Sequence, residues 1–81
     1  MWKDKLILNA DESLKLESST QSGFMQETDN ETYSIVRADG TRAGSVKVTD
    51  HTAVKGFKRT ISVHQIDVNG KTVVNTSFNP S

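Results

Sequence analysis

The last third of the chain spells a β-hairpin. Residues 58–67 alternate apolar and polar side chains, Val68-Asn69-Gly70-Lys71 has turn composition, and residues 72–78 alternate again. A period of two fits a strand, because successive side chains leave opposite faces of a pleated backbone. Asn-Gly is the strongest short-range hairpin signal, since both central residues of a type I′ turn need positive φ. A two-residue turn here sets Val68 opposite Lys71, Ile66 opposite Val73, Val63 opposite Thr76 and Ile61 opposite Phe78. One face then carries Ile61, Val63, Val74 and Phe78. The other carries Thr60, Ser62, His64, Asn75 and Ser77.

The same reading extends upstream. Residues 32–37 form a strand, Ala38-Asp39-Gly40-Thr41 is a turn with the Asp-Gly signal, and residues 42–49 alternate. Residues 50–56 read as a loop, and Pro80 ends ladder pairing. Near the start, the apolar residues 5–8 and the alternating residues 14–17 flank a turn-like stretch, which predicts an N-terminal hairpin. A helix over residues 11–17, capped by Asp11, is the alternative. Residues 18–23 read as a loop, residues 24–26 as a brief edge strand, and residues 27–31 as an acidic solvated stretch. No segment sustains a 3.6-residue period. The fold class is therefore mainly β: an antiparallel meander with an N-terminal hairpin.

The inward phase of these strands collects Tyr33, Ile35, Val46, Val48, Ile61, Val63, Val74 and Phe78 on one side. Burying one large apolar side chain gains about 1.5–3 kcal/mol, so leaving the set wet forfeits much of a small domain's stability. The N-terminal hairpin or a second copy of the chain has to cover it, and oligomerisation is the expected completion of the fold.

Eighty-one residues make one domain, residues 1–81. With no cysteine there is no disulfide, and two histidines, His51 and His64, make no metal-ligand spacing. No glycine-rich phosphate loop occurs, so no metal or cofactor is expected. Residues 1–31 hold seven carboxylates and three bases, a net of −4, while residues 32–81 hold seven bases and three carboxylates, a net of +4. The basic half is a candidate for meeting a polyanion, and the two halves are candidates for pairing between chains. The first residues lack the apolar run of a signal peptide, and no stretch is long enough to cross a membrane as a helix. The expected location is the cytoplasm of the producing cell or a particle assembled there.

No motif points to catalysis, and the chain is read as a non-enzyme. Ser62 shares a face with His64, but neighbours on a flat sheet make no cleft. His51 beside Asp50 is explained by a turn. The polar face is the better candidate. Lys47, Thr49, Lys58, Thr60, Ser62, His64 and Asn75, with Ser77, offer a shallow, cationic, hydrogen-bonding surface of the kind that meets single-stranded RNA, without the aromatic platform of base-stacking modules.

One resemblance follows from these stretches. The run Ala43-Gly44-Ser45-Val46-Lys47-Val48-Thr49-Asp50-His51-Thr52, then Gly56-Phe57-Lys58-Arg59-Thr60-Ile61-Ser62-Val63-His64, then Asn69-Gly70 and a Thr/Val strand, resembles the coat proteins of single-stranded RNA bacteriophages. That resemblance implies an N-terminal hairpin, a meander with a basic Thr/Ser-rich face on genomic RNA, and subunits that pair edge to edge. It implies RNA-facing roles for Lys47, Thr49, Lys58, Thr60, Ser62, His64 and Asn75, a structural function in a virion, and the chain itself and RNA as partners. Family members continue with two C-terminal helices, which would begin near Asn79-Pro80-Ser81. The alternative function is a small phage- or plasmid-encoded module that binds and blocks a host protein.

Overall fold

Two glycine turns of one design set most of the architecture. In the first, Gly40 N–H donates to Arg37 C=O (2.9 Å) and Arg37 N–H to Thr41 C=O (2.8 Å). In the second, Gly70 N–H donates to Asp67 C=O (3.0 Å) and Asp67 N–H to Lys71 C=O (2.9 Å). Gly40 and Gly70 lie at φ 89° and 82°, a region that suits glycine. Each loop is thus a three-residue hairpin closed by a left-handed glycine, not the two-residue turn that Asn-Gly suggests. Aspartate supplies the reason. The Asp67 carboxylate accepts from the backbone N–H of Asn69 and of Lys71, both at 2.9 Å, which holds the longer loop.

The computed structural model describes residues 2–22, 27–53, 56 and 58–79. Five strands form one open sheet: β1 (Ser13–Ser22), β2 (Thr28–Val36), β3 (Arg42–Thr52), β4 (Arg59–Asp67) and β5 (Thr72–Phe78). They pair antiparallel in sequence order, so the fold is an uninterrupted meander, with no α-helix among the described residues. Beside each glycine turn, one extra residue restores the register. Val36 pairs with Arg42 but Ile35 with Gly44, and Ile66 pairs with Thr72 but Gln65 with Val74. Ala43 and Val73 are the bulged residues. The bulge at Val73 explains why Ile61 still meets Phe78 and Val63 still meets Thr76, although Ile66 faces Thr72 rather than Val73, and Asp67 rather than Val68 bonds Lys71.

The N-terminal hairpin consists of β1 and β2. Residues 5–8 are not one of its strands, and residues 11–17 are not helical. Residues 18–22, read as a loop, continue β1 past a bulge at Glu17, and Thr28–Glu31 belong to β2. The expected edge strand over residues 24–26 lies outside the described residues.

The apolar face is covered by the chain's own beginning. A 3-10 helix, η1 (Trp2–Lys5), and the segment after it lie on Ile35, Val46, Val48, Ile61 and Val63 as a strap. Trp2 is buried at 9% exposure, with its ring 5.2 Å from that of Tyr33, and Leu6, Leu14, Ala43 and Phe78 pack around the same core. Gln65, only 4% exposed, fastens the strap. Its Nε2 donates to Ile7 C=O (2.7 Å) and its Oε1 accepts from Ile7 N–H (2.9 Å). A side-chain amide thus serves one residue of strap as a neighbouring strand would, which satisfies a polar group inside an apolar core.

Candidate nucleic-acid interface

Residues on the other side of the sheet fall into rows that cross the strands. One row is Ser18, Thr32, Lys47, His64 and Asn75; the next is Thr20, Asn30, Thr49, Ser62 and Ser77. A third runs through Thr28, His51 and Thr60. Adjacent strands lie about 4.8 Å apart, so each row presents a polar group at that spacing. Lys47, Ser62, His64, Asn75 and Ser77 are exposed, and Thr49 and Thr60 half-buried.

Of the residues singled out from sequence, seven come together here: Lys47, Thr49, Thr60, Ser62, His64, Asn75 and Ser77. Lys58 does not sit on a strand. It is exposed just before β4, and its carbonyl accepts the N–H of Ala53 (2.8 Å). Sequence reading missed the contribution of β1 and β2. Ser18 and Thr20 add β1 to the face. Thr28 and Asn30 lie in a stretch taken as acidic and solvated, Thr32 and Ser34 in the strand read over residues 32–37, and these four together add β2. Their period of two was the available signal, obscured by Asp29 and Glu31 between them.

Cross-strand bonds link the side chains of the face. Thr49 Oγ1 donates to Asn30 Oδ1 (3.3 Å), and Thr60 Oγ1 donates to Asn79 Oδ1 (3.2 Å). Asn30 and Thr60 occupy equivalent places in the two hairpins, as do Thr49 and Asn79, so one Thr–Asn link is made twice with its partners exchanged. His51 Nδ1 lies 2.7 Å from Thr28 Oγ1, and His64 Nε2 lies 3.1 Å from Thr72 Oγ1. His64 thus reaches Thr72 and not Ser62.

Charge is sorted between the two faces. Asp29, Glu31 and Asp50 project to the strap side. There the Tyr33 hydroxyl donates to Glu31 (3.1 Å), and the Arg59 guanidinium pairs with Asp50 through Nε (2.9 Å) and Nη2. The bond from Arg59 holds the Asp50 carboxyl below its ordinary value, while burial and the Glu31 carboxylate push the Tyr33 phenol up. On the polar face the register places Lys47 and two imidazoles along β2–β5, and no carboxylate among the described residues. Glu17 appears only at the β1 bulge, 3.9 Å from Lys15. Chemically, this face offers hydroxyl and amide groups that donate and accept, and over β2–β5 no carboxylate of the described residues stands among them. No group of three or more metal-ligating side chains occurs among the described residues.

No family model matches the chain, and neither a curated protein nor a solved structure shows significant similarity to it.

Proposed function

We propose that this chain is a self-assembling, coat-like structural subunit whose polar sheet face contacts single-stranded RNA. The observation that carries the reading is the sorting of charge. Carboxylates of the central strands are turned to the strap side, and among the described residues β2–β5 present lysine, imidazole, hydroxyl and amide groups, with no carboxylate, on the other. A phosphodiester chain is repelled by carboxylates and accepts hydrogen bonds from all four of those donor types. The rhythm shared with the coat proteins of RNA bacteriophages supports the same conclusion. Self-association is supported by the open sheet, whose outer strands β1 and β5 each leave one row of backbone groups unpaired within the sheet. The apolar face is not part of that argument, because the strap already covers it.

Fluorescence anisotropy with single-stranded RNA tests the binding. Lys47→Glu is expected to weaken binding and to lower the salt slope by about 0.7, the share of one phosphate contact. Lys3→Glu, on the strap side, leaves binding unchanged. Light scattering and electron microscopy of the purified protein test assembly, with large discrete particles carrying RNA as the expected result. A monodisperse monomer or dimer free of nucleic acid, with no affinity for RNA, overturns the proposal.

A further inference from the structure

The two glycine turns share a backbone but treat their third residue differently, and the difference is chemical. At the first turn that residue is Asp39. Its carboxylate accepts from the Thr41 backbone N–H (2.9 Å) and from the Thr41 hydroxyl (2.7 Å), and the hydroxyl bond in particular keeps it ionised below the ordinary aspartate range. At the second turn the residue is Asn69. Lys71, which stands where Thr41 stands, has no hydroxyl, and its N–H is already taken by Asp67. Among the described residues no side-chain hydrogen bond holds the Asn69 amide, and Asn69 and Gly70 are exposed. A Cβ placed on Gly70 would meet nothing within 4 Å, so the residue after Asn69 has no side chain of its own and open space where one would stand.

We infer that Asn69 is a site of spontaneous deamidation in the folded protein, and that Asp39, at the equivalent turn, does not undergo the corresponding isomerisation. The Gly70 nitrogen gives its proton to solvent base and attacks the Asn69 Cγ. The Cγ–N bond forms and the Cγ–Nδ2 bond breaks, and the side-chain nitrogen departs as ammonia with the proton returned to it. Water then opens the five-membered succinimide at either carbonyl, leaving aspartate or isoaspartate. One water enters, one ammonia leaves, and nothing is oxidised or reduced. The attack requires the Gly70 N–H to release Asp67 C=O, a single bond in an exposed loop. At Asp39 the electrophile is an anchored carboxylate anion, a far poorer target.

The products differ in effect. Aspartate at 69 adds a negative charge near the Asp67 carboxylate and keeps the loop. Isoaspartate routes the main chain through Cβ and adds an atom to a loop whose length sets the register of β5.

The experiment ages the intact chain at mildly alkaline pH, folded and in urea side by side, with peptide mapping and isoaspartate detection. In the folded sample, Asn69 is expected to convert at a rate comparable to that in urea. Asn9, Asn30, Asn75 and Asn79 persist, and no isoaspartate forms at Asp39. Asn69→Gln, checked for fold by circular dichroism, abolishes ammonia release. If Asn69 survives in the folded sample while the urea sample loses it, the turn protects the amide and the inference is overturned. Equal ammonia release from Asn69→Gln overturns it as well. Neither result depends on RNA binding or assembly.

Discussion

Gln65 shows how one residue can decide what a face of this sheet is for. It sits in the middle of an apolar row, between Val46 and Val74, where the strand pattern calls for an aliphatic side chain. A buried amide is unfavourable unless both ends are satisfied, and both are, by the N–H and C=O of one strap residue, Ile7. Gln65→Leu keeps the approximate volume and removes both bonds. The Ile7 backbone, only part-buried, recovers some of the loss by turning to water. The expected cost is about 1–3 kcal/mol, read as a lower urea midpoint. A variant as stable as the parent shows that Leu6 and Trp2 hold the strap without the clamp. The sequence reading did not single out Gln65, because its partner is a main-chain segment of the N-terminal strap, and no side-chain periodicity announces such a contact.

At the scale of strands, legibility followed hydrophobic contrast. β3, β4 and β5 alternate sharply around the core, and their order, faces and most of their register were readable from Val46, Val48, Ile61, Val63 and Phe78. β1 beyond Leu16 carries only polar side chains on both faces, so nothing in the sequence marks which side is inward, and residues 18–22 read as loop. The polar site was legible for the same reason as the core, since it is the other phase of β3–β5; its extension over β2 was hidden by Asp29 and Glu31. Both turns were placed correctly, but the second was typed wrongly, because Asn69-Gly70 was weighed without Asp67, two residues before it. That change of loop requires the bulges, and the bulge in β3 brings Gly44 against β4. A Cβ on Gly44 would fall 2.3 Å from the carbonyl oxygen of Ile66, a backbone atom that cannot swing aside. Gly44→Ala is therefore expected to part β3 from β4 locally, at a cost of about 3 kcal/mol, the upper end for overpacking. Hydrogen exchange should show faster amides in β3 and β4 next to position 44, with β1 unaffected. Gly40→Ala meets no neighbour within 4 Å and is costly only through its left-handed backbone, about 1–2 kcal/mol. The reverse ranking of the two variants sinks the packing account.

The molecule as a whole is a single sheet, 45 Å in its longest dimension, with a strap on one side and, among the described residues, no segment of the chain laid over the other. Its sequence poses the problem of an apolar face too large to leave wet, and a second copy of the chain was one expected answer. The strap answers it within one chain, so stability and association are separable properties. Trp2 is the residue on which that separation rests, because among the described residues it is the large aromatic side chain that enters the core from outside the sheet. Trp2→Ala removes a contact worth about 3–5 kcal/mol, a large part of what a small domain possesses. The variant is expected to lose its cooperative melt or to expose the Val46–Val63 face. In the second case it binds a hydrophobic dye and sediments as larger species as concentration rises, while the parent at the same concentrations binds no dye. Lys47→Glu makes the opposite change, leaving melting and dye binding as they are and altering only what the polar face holds. If Trp2→Ala melts like the parent and stays dark to the dye, the strap is not the cover of the core, and the apolar face is sheltered by another copy of the chain.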